Sequence, residues 1–230
     1  MLAILYKQCS YVLTFIPEKF IPMHPEILIH EEFLEINSLK NGIIITRIRI
    51  RKLLSYQFFS MPWYKNMGIN LFQEEQFLSD CRNVKGETAC LIVLRKDKYV
   101  WWFSIGDCLS YLFHPELAKL GQYQINQRQF YEWVGQVNTF EQVIPCYSSG
   151  IRELRKGLNR IFLTTDGLIE CPNEPFSSPN EIYNVMRSHQ MDNSILTILQ
   201  SIKENNVRDS TTIISWDVNI TKEVTIPSDA

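Results

Sequence analysis

The sequence predicts an α+β fold, with strands and helices in separate runs. Three observations carry this. Between Gly86 and Phe113 the chain reads strand, charged turn, strand, Gly-Asp, strand. From Arg160 an apolar run of strand length ends on Asp166-Gly167, and two helical patterns follow it. Thr211–Trp216 then supplies a β-branched strand directly after Asp209.

With 230 residues the chain can bury a substantial core, as one large domain or one domain with an appendage. A formal net charge of −2 gives no global reason for nucleic acid or an anionic membrane as partner. The cysteines Cys9, Cys81, Cys90, Cys108, Cys146 and Cys171 are scattered, with no CxxC pair or Cys/His cluster. That argues against structural zinc, and a reducing cytoplasm is the simpler compartment. Met1–Ile16 is apolar, but Lys7 and Gln8 interrupt it and no small-residue cleavage pattern follows. It is also shorter than the roughly 20 residues that span a bilayer. A buried amino-terminal element is expected there.

Pro17, Pro22 and Pro25 exclude a long helix over Ile16–Ile27. Glu31–Leu39 suits a short helix. Arg47–Arg51 alternates Arg and Ile, which is strand periodicity with one basic face. That face is either a solvated strand edge or a surface for phosphate or an acidic partner. Phe72–Cys81 reads as a short helix and Asn83–Gly86 as a loop. Gly86–Leu94 reads as a strand, Arg95–Lys98 as a polar turn and Tyr99–Ile105 as a second strand ended by Gly106-Asp107. Ser110–Phe113 is a third strand, stopped by His114-Pro115, and the three together form a meander. The aromatics around Trp101 are expected to pack in the core.

Gln127–Trp133 has helical spacing, with Phe130, Tyr131 and Val134 sharing a face; Gln136–Gly150 is loop-like. Pro172, Pro175 and Pro179, with Ser177 and Ser178, mark a loop. Ser178 or Asn180 caps a helix with Ile182, Val185 and Met186 on one face. A second helix over Asn193–Asn205 carries an Ile195, Leu199, Ile202 stripe. Thr221–Ala230 is expected to fray. The chain thus divides into residues 1–68, a domain over 69–220, and a tail over 221–230.

Three aspartates stand at strand ends. Asp166 closes the apolar run, Gly167 permits a sharp turn, and Glu170 brings a second carboxylate back towards the first. Asp107 holds the same place on its strand, and Asp209 precedes the last strand. Clustered carboxylates suit a hard cation such as Mg²⁺ or Mn²⁺, although each of these residues also has an ordinary role as a turn former.

The order and surroundings of these acids resemble the metal-dependent PP2C-like (PPM) protein phosphatases. Gly86-Glu87-Thr88-Ala89 is similar to that family's glycine-threonine-alanine strand start. Ile105-Gly106-Asp107-Cys108 is similar to its Gly-Asp-Ser segment, with cysteine for serine. Thr165–Glu170 resembles its Asp-Gly-Leu motif followed by an acid. Asp209-Ser210-Thr211-Thr212-Ile213-Ile214 resembles its closing Asp-Asn or Asp-Asp strand, with serine in second place. The resemblance covers Gly86 to Val218, a little over half the chain.

That resemblance implies a β-sandwich flanked by helices on both outer faces, with a binuclear Mn²⁺ or Mg²⁺ centre at one end. It implies Asp166 and Asp209 as core metal ligands, with Asp107 and Glu170 at a looser additional position. No catalytic residue beyond the metal ligands is implied. The activity would be hydrolysis of phosphoserine or phosphothreonine in a protein or peptide by a metal-activated water. The family also supplies an early acidic motif, an Asp-Gly-x-Gly-Gly-like segment and a phosphate-binding arginine from its amino-terminal third. Nothing before Gly86 matches these, so the fold is expected to be incomplete at its amino-terminal end. A truncated product, a displaced upstream reading frame and a catalytically silent scaffold that binds a protein partner are the competing explanations.

Overall fold

The computed structural model describes residues 2–6, 12–15, 69–70, 72–83, 85–188 and 190–226. The helix expected over Glu31–Leu39 and the Arg47–Arg51 strand lie outside them. Strands β1 (Leu2–Tyr6), β2 (Val12–Phe15), β4 (Cys90–Lys96), β5 (Tyr99–Ile105) and β8 (Ser148–Glu153) form one antiparallel sheet in the order β2-β1-β4-β5-β8. A second sheet has the order β10-β9-β6, from β6 (Leu109–Phe113), β9 (Gly157–Thr164) and β10 (Ile213–Ile220). A two-stranded ladder joins β3 (Glu87–Thr88) to β7 (Val134–Gly135). The helices are α1 (Glu75–Asn83), α2 (Pro115–Lys119), α3 (Pro179–Ser188) and α4 (Met191–Glu204).

Strand alternation sorts the side chains into three cores. Leu91 and Val93 of β4, Val100, Leu112, Ile161, Leu163, Ile214, Trp216 and Val218 pack between the two sheets. Their neighbours Cys90, Ile92 and Leu94, with Trp101, Phe103 and Ile105, face the other way against Phe72 and Cys81 on the α1 side. Leu109, Tyr111, Phe113 and Phe162 point outward from the second sheet onto Ile182, Met186, Ile198 and Ile202 of α3 and α4. The result is a sandwich of two sheets with helices on both outer faces, as the sequence led us to expect. Among the described residues, no helix is long and apolar enough to cross a membrane.

Several expectations are corrected. The meander ends after two strands, because β6 pairs with β9 and belongs to the opposite sheet. Gly106, at φ +85°, turns the chain across, and a side chain there would put its Cβ 2.7 Å from that of Ala89. The strand expected from Gly86 is interrupted at Ala89, and the helix expected over Phe72–Cys81 is α1, shifted to Glu75–Asn83. Gln127–Trp133 is not helical. Its Gln129 N–H donates to the Gly106 carbonyl at 2.9 Å, Tyr131 sits at φ +69°, and Phe130 and Tyr131 are exposed.

On α4 the buried residues are Ser194, Ile198 and Ile202, while Leu199 is exposed. Ser194 Oγ donates to the Val185 carbonyl at 3.0 Å, so the helix turns a polar residue inward to bond α3. Ser178 is the residue that caps α3: its Oγ accepts from the Asn180 N–H while Glu181 accepts from the Ser178 N–H. Residues 221–226 do not hang free. Val224 packs on the inter-sheet core, Arg155 donates to the Thr225 carbonyl, and Lys156 pairs with Glu223. At the other end, β1 lies along β4, so the first residues share a sheet with the expected domain.

Candidate functional site

β6 and β10 both run antiparallel to β9, so their starts lie at its end. Leu109 and Ile213 are both paired with Thr164. Asp107 comes two residues before Leu109, Asp166 two residues after Thr164, and Asp209 four residues before Ile213. The topology therefore brings all three aspartates to one end of the sandwich.

Local geometry fixes each differently. Asp166 is buried and begins a 3-10 turn, Asp166–Leu168, whose first carbonyl accepts from the Ile169 and Glu170 N–H groups, each at 2.9 Å. Thr165 ties this turn to the start of β10. Its Oγ1 donates to the Ser210 carbonyl and accepts from the Thr212 N–H, both at 3.0 Å. At Gly167 an added Cβ would lie 2.8 Å from Thr211 Oγ1 and 3.0 Å from the carbonyl oxygens of Asp209 and Ser210. The glycine is what allows the 209–211 backbone to pass so close to Asp166.

Asp107 is also buried, in the crossing between the sheets. Asn126 holds that crossing. It donates to the Cys108 carbonyl at 2.8 Å and to Ser104 Oγ at 3.2 Å, and accepts from the Ser110 N–H at 2.8 Å. Sequence reasoning passed over Asn126, because a lone buried asparagine in an aperiodic stretch carries no pattern. Asp209 is exposed, and its Oδ1 accepts from the Ser210 N–H at 2.7 Å.

Glu170 turns elsewhere. Its carboxylate accepts from Arg128 Nη2 at 2.8 Å, and Arg128 lies over the Phe130 ring, 4.7 Å from its centroid. Burial pushes the nearby Tyr111 phenol up, an effect the Arg128 charge partly offsets. Arg128 was also missed at the sequence level, since nothing in its local pattern marks a partner so far along the chain.

The donor chemistry suits Mn²⁺ or Mg²⁺, because every candidate is a hard carboxylate oxygen. The number falls short. Among the described residues, no group of three or more His, Cys, Asp or Glu side chains is close enough to hold a metal ion.

A scan against family models gives no match, and no curated protein sequence is detectably similar. Solved structures do match. A bacterial serine phosphatase is 16% identical with a TM-score of 0.55, over 75% of this chain and 77% of that one. A bacterial serine phosphatase bearing a substitution of arginine by glutamate is 18% identical with a TM-score of 0.55, over 74% of this chain and 73% of that one. The chain has a PP2C-like fold. The serine/threonine phosphatase Stp1 from Staphylococcus aureus is also similar, at 16% identity, 72% of each chain and a TM-score of 0.50. At such identities the shared property is the fold alone.

Proposed function

We propose that this chain hydrolyses phosphoserine or phosphothreonine in a protein substrate. The observation that supports the reading is the convergence of Asp107, Asp166 and Asp209 at one end of a PP2C-like sandwich. Asp166 and Asp209 would be the principal metal ligands, with Asp107 at a looser position. Glu170, whose Oε1 accepts from Arg128, would stand beside them. A bound Mn²⁺ or Mg²⁺ would supply an activated water and neutralise charge on the phosphoryl oxygens.

The chain's own residues would set the geometry. Thr165 and Gly167 hold the Asp166 turn against the Asp209 segment, and Asn126 holds the Asp107 corner. The test is phosphate release from a phosphothreonine peptide and a small aryl phosphate by the purified full chain, with and without Mn²⁺. Mn²⁺-dependent turnover that falls to background in Asp166→Asn is expected. Turnover unchanged in that variant removes the assignment, and peptide binding without hydrolysis turns the reading to a scaffold.

A further inference from the structure

We propose that Arg128 binds the phosphoryl oxygens of the substrate, and that Glu170 holds it ready. The proposal rests on the phosphatase reading above. The segment from Tyr123 to Gln129 runs antiparallel along Gly106–Leu112, which is most of β6 and the residues just before it. The Leu112 N–H donates to the Tyr123 carbonyl at 2.8 Å, the Ile125 N–H to the Ser110 carbonyl at 2.9 Å, and the Gln129 N–H to the Gly106 carbonyl at 2.9 Å. This pairing delivers Arg128 to the corner that carries Asp107. Its guanidinium then reaches Glu170, whose own N–H is bonded to the Asp166 carbonyl. Arg128 thus bridges the backbone that bears Asp107 and the turn that bears Asp166.

The state of this guanidinium is what suggests a ligand. Its side chain is 17% exposed, so it is largely stripped of water. The Phe130 ring and the Glu170 bond hold its plane, which leaves little ordering to be done on binding. Nε is buried and has no hydrogen-bond partner among the described residues. The partner it has is a poor match for such a site. Glu170 is 53% exposed, and an ion pair with a half-exposed carboxylate is weak.

A phosphomonoester brings more charge and three strong acceptor oxygens, and it fits the guanidinium fork in a bidentate way. It would take Arg128 from Glu170 on binding and return it on leaving. Glu170 is then a positioning residue, and it is not needed as a metal ligand.

The experiment is titration of inorganic phosphate into the full chain without added metal, followed by steady-state kinetics on a phosphothreonine peptide with Mn²⁺. Arg128→Lys keeps the charge but loses the fork. It is expected to weaken phosphate binding about tenfold or more and to raise KM with a smaller change in kcat. Glu170→Gln is expected to strengthen phosphate binding while leaving the Mn²⁺ requirement unchanged. Phosphate binding that is absent in the natural chain, or equal in Arg128→Lys, overturns the proposal. A higher Mn²⁺ requirement in Glu170→Gln returns that residue to the metal and overturns its positioning role. Arg128-dependent phosphate binding without any turnover supports the Arg128 assignment and removes the phosphatase reading instead.

Discussion

Asn126 donates to the Cys108 carbonyl at 2.8 Å, and through that bond a loop side chain holds the backbone beside Asp107. The same amide also accepts from the Ser110 N–H, so one side chain completes both sides of the crossing between the sheets. Asn126→Ala would leave a buried N–H and a buried carbonyl without this partner. The expected loss is about 2 kcal/mol. Urea unfolding monitored by tryptophan fluorescence checks it. A loss below experimental error would mean that water replaces the amide.

The Gly106–Ala89 contact should behave as a coupled pair. Gly106→Ala places a Cβ against Ala89 and forces a side chain onto a backbone at φ +85°. We expect it to destabilise the chain by about 2–4 kcal/mol. Ala89→Gly removes the nearest obstructing atom. The double variant should therefore be more stable than the sum of the single losses, which a double-mutant cycle measures directly. Strict additivity would show that backbone strain alone sets the cost.

The carboxy-terminal segment should detach in acid. The Lys98 ammonium and then the Thr225 group hold Glu153 down to about 2, from an ordinary 4.5. Because the folded value is depressed, the contribution is complete above about 4.5 and is lost as pH falls towards 2. The natural chain should lose its stability advantage over Glu153→Gln across that window. Amide hydrogen exchange should quicken in residues 221–226 over the same range. A gap that stays constant with pH would mean that the ion pair contributes nothing.

Some of this structure was legible because local pattern and tertiary structure agree. Tyr99–Ile105 is rich in aromatic and β-branched residues, follows a polar turn, and pairs with β4 along its whole length. Asp107 and Asp166 were legible because each follows the end of a strand, and Asp209 because it precedes one, although β10 begins at Ile213 and not directly after the acid. The helical reading of Gln127–Trp133 failed where they disagree. Its spacing of apolar residues is real, yet the Gln129 N–H is spent on Gly106 and Phe130 serves Arg128. On α4, apolar residues lie on more than one face, so periodicity alone left the phase open. Ser194 is buried because of its bond to Val185, which only tertiary structure supplies. The Arg128–Glu170 bridge joins two stretches with no shared motif, and no window of sequence contains both.

The place of β1 in its sheet has a consequence for how the chain is made. β1 lies between β2 and β4. A ribosome releases the hairpin partner almost at once, but the strand that completes β1's hydrogen bonding begins only at Cys90. At ordinary synthesis rates that leaves seconds in which one edge of a nascent hairpin lacks its neighbour. Such an edge is where another chain can add itself. Yield of this protein in a cell should therefore respond to translation speed and to chaperones that cover nascent chains, more than to the equilibrium stability of the finished sandwich.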